Sequence, residues 1–328
     1  MTEHGQAEPT GAEPGLRRPG LASAPYVALG TPASSAFADR IRSIYARRED
    51  LQAAFARPDS EEFLRWVVVH GALEHEDELG EFFPAVPPAE VRFGSSHGLH
   101  AADYLHSSLE DFRTLLELVE VFGRKPISEV RSVYEFGCAS GRILRRFGAV
   151  ASMDCFGSDI RPADLEWCDA NLPGRFLLTG LEPPVELPDD SMDLVYAVSA
   201  VSHLDRAANV KWVRELCRVC APDGLVLVSA HGAFSLFVAQ RSAEHQALFH
   251  LTREGAVELL RDLGRESFAL QPAPAELGGP TGPRPGYDQA FFSAEFARES
   301  WSEFADILGH VPAAQGLLED FYALRPRS

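Results

Sequence analysis

The sequence is short of cysteine, methionine and tryptophan, with five, three and four in 328 residues. The cysteines (Cys138, Cys155, Cys168, Cys217 and Cys220) are scattered through apolar stretches. That excludes the dense, even framework of a small disulfide-stapled domain, and reduced thiols are expected. Cys217 and Cys220 form one Cys-x-x-Cys, but no second Cys or His pair stands at zinc-site spacing and both fall in an amphipathic helical pattern, Trp212 to Cys220, so no metal is expected. Positive charge is also scarce. Lys and Arg total 30 against 48 Asp and Glu, a formal charge of −18, and no basic cluster stands out that would neutralise a phosphate backbone, which argues against a nucleic-acid partner. No apolar run approaches the ~18 residues needed to span a bilayer, so no membrane insertion is expected. The first thirty residues carry charges, Gly and Pro where a secretory signal has an apolar stretch, which sets the expectation of a cytoplasmic protein.

What is present is an apolar fraction of 45%, ample for a full core in one large domain with a smaller one beside it. Residues 1–34 are rich in Gly, Pro, Ala and Glu and are read as a disordered tail, because they bury too little to offset the entropy of ordering. Residues 35–127 read as a helical cap region. Phe37, Ile41, Ile44, Tyr45 and Leu51 recur at helical steps, and a second helix starts at the Asp59-Ser60-Glu61-Glu62 cap. Ser107 to Phe122 is helical again after a Pro/Gly-rich connection.

Residues 128–328 alternate strands with helices, which predicts an α/β, doubly wound, mostly parallel sheet. The strand candidates are Ser132 to Phe136, Asp154 to Ser158, Arg175 to Thr179, Leu194 to Val198 and Leu225 to Ala230, with helices starting near Gly141, Pro162, Ala207 and Thr252. Phe304 to Leu308 and Asp320 to Leu324 read as a terminal antiparallel hairpin. Pro272 to Gly286 is a Pro/Gly-rich loop. The aromatic run around Phe291, Phe292, Phe296, Trp301 and Phe304 is open to two readings, a wall or lid of a substrate pocket or ordinary helix packing.

The first strand runs into Glu135-Phe136-Gly137-Cys138-Ala139-Ser140-Gly141-Arg142 and straight on into a helix. A small-residue turn between a strand and a helix N-terminus lets a ligand approach bare backbone, and the free amides of the helix start favour an anionic group. Asp159 closes the next strand near the ~20-residue offset at which an acidic side chain meets ribose hydroxyls. A nicotinamide-type fingerprint would read Gly-x-Gly-x-x-Gly, whereas the glycines here are Gly137 and Gly141 with Glu135 ahead of them.

This Glu-x-Gly-x-x-x-Gly turn resembles the first motif of the class I S-adenosylmethionine-dependent methyltransferases. Leu187-Pro188-Asp189-Asp190-Ser191-Met192-Asp193-Leu194-Val195-Tyr196-Ala197 is similar to that family's approach to its fourth strand, and Trp212 to Val228 to its next helix, turn and strand. Two positions depart from the family pattern: Ala139 replaces the central glycine of the turn, and Asp223 replaces the first glycine of a Pro-Gly-Gly turn. The resemblance implies a Rossmann-like, seven-stranded sheet with an antiparallel last strand and S-adenosyl-L-methionine as cofactor, with S-adenosyl-L-homocysteine as product. It places Glu135, Gly137, Cys138 and Gly141 around the methionine end, Asp159 on the ribose, Gly180 and Leu181 near adenine, and Val198 and Ser199 on the sulfonium side.

The implied reaction is methylation of an O or N, with C as the alternative, of a small secondary metabolite or saccharide. The saccharide option rests on a short similarity of Ile44-Tyr45, Arg48 to Phe55 and Phe63 to Trp66 to segments attached to some saccharide-modifying enzymes. A base is needed for a hydroxyl or protonated amine, and a histidine near neutrality suits it. His203 and His106 are the candidates, the first because it follows the fourth strand at the edge where open α/β sheets bind ligands. A homodimer is left open. Two rivals stand beside this reading: a nicotinamide-dependent oxidoreductase, and a non-catalytic binding protein of the same fold, to which Ala139 would be suited.

Overall fold

A computed structural model describes residues 34–96, 100–149, 153–274, 278–279, 282–283, 288–316 and 318–327. The expected tail lies outside these residues except for Ser34, whose hydroxyl accepts the Phe37 N–H and caps helix α1, Ser35–Arg47. Ser60 does the same for α2, Glu61–Trp66, by accepting from Phe63 N–H. With α3, Ala101–Phe122, these helices bury Phe37, Ile41, Phe63, Leu64 and Leu109 in a core of their own. Among the described residues no helix is long and apolar enough to cross a membrane.

The sheet begins with β1, Ser132–Phe136, followed by helix α4, Leu144–Ala149. Next come β2, Asp154–Asp159; α5, Pro162–Asn171; β3, Arg175–Leu178; and β4, Met192–Ala197. Helix α6, Arg206–Val219, is capped by the Asp205 carboxylate and leads into β5, Cys220–His231. These five strands are parallel in the order β5-β4-β1-β2-β3. β1 is buried along nearly its whole length because helices cover both faces of a parallel sheet. The helix expected from Gly141 starts three residues later, since Gly141 to Ile143 are still turning. Along β5, Met192 pairs with Cys220 but Leu194 pairs with Leu225, so the Pro222-Asp223-Gly224 turn stands out as a bulge.

Beyond β5 come α7, Ala233–Ala239, and α8, Arg253–Glu266. Then follow β6, Phe268–Gln271; β7, Gln289–Phe292; α9, Ala294–Trp301; β8, Ala305–Gln315; and β9, Glu319–Pro326. β9 lies antiparallel between β5 and β8, which is the expected hairpin, longer than the sequence pattern suggested. Two strands were not legible in the sequence: β6 pairs with β7, and β7 joins β5 at His231 and Phe291, making a nine-stranded sheet among the described residues. Each is only four residues long, and the Pro/Gly-rich stretch between them, mostly outside the described residues, hides their pairing.

The aromatic run resolves as packing rather than a lid. Phe292, Phe296 and Trp301 are fully buried on one face of the sheet with Trp212 and Tyr322. Phe292 and Tyr322 stack at 5.7 Å, and Trp301 Nε1 donates to Asn209 Oδ1 at 3.3 Å. The opposite face is filled by Phe112, Phe147, Leu144 and Tyr196.

Candidate functional site

Backbone conformation defines the turn after β1. Gly137 and Gly141 have φ of +73° and +69°, where a side chain is strained, and a methyl at Gly141 would also stand 2.3 Å from Leu172 Cδ1. The N–H groups of Gly137 and Cys138 both donate to the Ser158 carbonyl, at 2.8 and 2.9 Å. Ala139 shares the left-handed conformation, with φ of +44°. Its departure from glycine is therefore a matter of local strain, about 1 kcal/mol for a non-glycine residue, and not only of a methyl beside a ligand.

The two acids expected at this end brace the turn from below and from the side. Glu135 is buried; its Oε2 accepts the Leu144 N–H at the start of α4 at 3.1 Å and the Tyr196 hydroxyl at 3.0 Å. Burial pushes its carboxyl up to about 8, against the pull of the Tyr196 hydroxyl and the Arg142 charge. Asp159 Oδ2 accepts the Ala139 N–H at 2.8 Å, and Oδ1 the Arg161 N–H at 3.0 Å. Burial raises its pKa too, while those backbone donors oppose the rise. A carboxylate carries about four lone-pair sites, so each Asp159 oxygen keeps capacity for a further donor. Cys138 does not present its thiol to the turn's open side: the side chain is buried in the core, and its Sγ lies where a methyl on Gly157 would come within 2.8 Å.

At the end of β3, Thr179 N–H donates to the Asp159 carbonyl at 2.9 Å, while its buried Oγ1 has no partner among the described residues. Leu178 and Leu181 beside it are 62% and 51% exposed, unusual for leucines flanking a half-buried acid. Gly180 has open space around its Cα, with nothing nearer than 3.7 Å to an added methyl. The Leu181 carbonyl is fixed by Trp212 Nε1 at 2.9 Å.

The far side of the edge is organised by a residue that the sequence reading missed. Glu319, the first residue of β9, is 2% exposed. Its Oε2 accepts the hydroxyls of Ser229 at 2.6 Å and Ser199 at 2.9 Å, and its Oε1 accepts that of Ser202 at 3.3 Å. Ser199 N–H donates to Ser229 Oγ at 2.7 Å, which holds Ser199 at φ of +51° just beyond the buried Val198. His231 Nδ1 lies 3.5 Å from Glu319 Oε1 without a hydrogen bond, and burial holds that imidazole's pKa below its usual value. The available signal was the acidic pair Glu319-Asp320 at the head of an otherwise apolar strand.

The two histidine candidates part company. His203 closes the short turn Val201–His203 after β4 and is half-buried, with Nδ1 3.0 Å from the Asp288 carbonyl. A carbonyl only accepts, so that contact assigns a proton to Nδ1. His106 is exposed. The face of α3 that meets the turn carries Tyr104, whose hydroxyl donates to the Ser140 carbonyl at 3.2 Å, and Asp111, paired with Arg142 at 2.5 Å. Two residues on from Tyr104, His106 is rotated about 200° away from that face. Among the described residues no group of His, Cys, Asp and Glu could hold a metal ion.

A family model described as a methyltransferase domain matches residues 134–228, from β1 to β5. Among curated proteins, none matches the sequence. Solved structures similar to this chain include a TehB-like SAM-dependent methyltransferase from Corynebacterium glutamicum, 12% identical with a TM-score of 0.40 over 66% of this chain and 88% of that one. A SAM-dependent methyltransferase from Leishmania major is 14% identical with a TM-score of 0.47, over 74% and 79%. The CcbJ methyltransferase from Streptomyces caelestis is 11% identical with a TM-score of 0.42, over 67% and 90%. The segment from Tyr134 to Val228, which holds the acid–glycine turn and Asp159, is thus the part of the chain that is similar to the methyltransferase-domain family.

Proposed function

We propose that the protein methylates an oxygen or nitrogen, with carbon as the alternative, of a small secondary metabolite or saccharide in the cytoplasm. Residues 35–127 serve as a cap on a methyltransferase domain of residues 128–328. The observation that carries the reading is the joint between the Gly137–Gly141 turn and Asp159, where a half-buried carboxylate shapes the turn and keeps acceptor capacity for ribose hydroxyls. The surroundings fit the cofactor: Leu178 and Leu181 offer exposed apolar surface for a purine, and Thr179 Oγ1 is a buried hydroxyl with no partner among the described residues.

When bound, the cofactor supplies a methyl carbon already activated by its sulfonium. The chain's part is alignment and exclusion of water. Gly137, Ala139 and Gly141 bring backbone to the methionine end. Glu135 holds the helix start from beneath. Val198 and Ser199, fixed through Ser229 and Glu319, shape the wall where acceptor and donor meet. His203 takes the proton of a hydroxyl or ammonium acceptor.

Calorimetric titration with S-adenosylmethionine and S-adenosylhomocysteine tests the cofactor site; binding of neither in the near-millimolar range overturns the assignment. A mass-shift screen for the gain of one methyl then identifies the acceptor. On that acceptor, His203→Ala lowers kcat about 100-fold, within the usual range for a general base, whereas His106→Ala leaves it unchanged. Equal loss in both variants would remove His203 from the base role.

A further inference from the structure

The helical region and the start of α4 enclose a cavity of about 260 Å3. Its wall is apolar at Val68, Leu73, Phe83 and Leu105 and basic at Arg145 and Arg146. Both arginines are only 3% exposed. Their hydrogen-bond partners are neutral. Arg145 Nη2 donates to the carbonyls of Pro84 and, at 3.0 Å, Ala85. Arg146 gives Nε to Ser108 Oγ at 3.0 Å and Nη2 to the Leu105 carbonyl at 3.1 Å. Arg145 also lies over the Tyr104 ring at 5.8 Å, and its Nη1 is buried with no partner among the described residues.

Arg142, on the turn just before α4, shows the contrast: it is matched by the Asp111 carboxylate at 2.5 Å. Arg145 and Arg146 form no ion pair with a carboxylate among the described residues, and burial together with the neighbouring Arg145 charge pushes the Arg146 pKa down to about 9. Burying a charge costs several kcal/mol unless an opposite charge compensates it. Carbonyl dipoles and one aromatic ring answer only part of that cost for two adjacent guanidiniums. An anion in the cavity would supply the rest, and a planar carboxylate suits the guanidinium fork.

We propose that this cavity is a binding site for a small organic carboxylate, its charge met by Arg145 Nη1 and Arg146 and its apolar body by Val68, Leu73 and Phe83. None of these residues is among those assigned to the methyl donor. Glu76 also lines the cavity and would repel such a ligand.

The test uses the full chain with benzoate, its neutral counterpart benzyl alcohol, and inorganic phosphate, read by thermal melting and calorimetry. Benzoate should raise the melting temperature saturably in the millimolar range, with the other two compounds having little effect. Arg145→Gln should weaken benzoate about ten- to hundred-fold, as expected for loss of a buried charge partner. Glu76→Gln should tighten it, and Ala72→Phe, which fills the cavity, should abolish it. Cooperative melting by circular dichroism establishes that each variant is folded. If Arg145→Gln fails to fold, Ala72→Phe decides. No saturable benzoate effect, an equal effect from benzyl alcohol or from phosphate, or unchanged benzoate binding in Ala72→Phe would overturn the proposal.

Discussion

On the β1–β3 side of the sheet edge, Asp159 receives hydrogen bonds from backbone N–H groups 20 and 2 residues away, and Glu135 braces a helix start nine residues on. On the β4–β9 side, Glu319 receives three serine hydroxyls from 90 to 120 residues away. The first side is a local structure with acids built into it. The second exists only because a strand from the end of the chain inserts beside β5. Removing an acid should therefore loosen one turn in the first case and disconnect two strands and a loop in the second.

The largest effect is expected at Glu319. Glu319→Ala leaves three hydroxyls without their acceptor, two of them fully buried, and should cost about 3 kcal/mol by urea denaturation, at 1–3 kcal/mol per orphaned buried group with partial relaxation. A loss smaller than that of Asp159→Ala would break the comparison. Glu135 is distinguished by its pH dependence. Its carboxyl is raised from 4.5 to about 8 on folding, so the folded state holds a proton that the unfolded state releases. Its contribution is complete below pH 4.5 and is lost as pH rises through about 8; Glu135→Gln should remove that fall in stability across the window, read by urea denaturation at about pH 5 and about pH 9.

Asp159→Ala comes next. It frees the Ala139 and Arg161 N–H groups and should weaken S-adenosylhomocysteine about ten- to hundred-fold by calorimetry, with a stability loss of about 1–2 kcal/mol. The smallest change is Ala139→Gly. Relief of the left-handed conformation is offset by the greater freedom of glycine in the unfolded chain, so the denaturation midpoint should move by no more than about 0.5 kcal/mol. A large gain in cofactor affinity would instead mean that the methyl itself obstructs the ligand.

The difference between the two sides also explains what could be read from the chain. Glu135, Gly137, Gly141 and Asp159 sit within 25 residues, where strand, turn and helix geometry fixes their spacing, so their neighbourhood was legible. Glu319 was not, because nothing near it names its partners. For His106, proximity to the main domain was legible while its exposed helix face was not; the phase of α3 is set by Tyr104 and Asp111 meeting Ser140 and Arg142. The pair β6 and β7 escaped because four-residue strands carry too little alternation to declare themselves.

By itself the sequence determined the parallel α/β sheet, the terminal hairpin and the acid–glycine turn, since hydrophobic period and turn chemistry act over a few residues. Only the tertiary structure decided that Ala139 adopts a left-handed conformation, that the late aromatics are core, that Glu319 organises the second half of the edge, and that two arginines are buried beside a cavity. Each of these depends on which distant groups are brought into contact, and that is settled by the packing of whole elements.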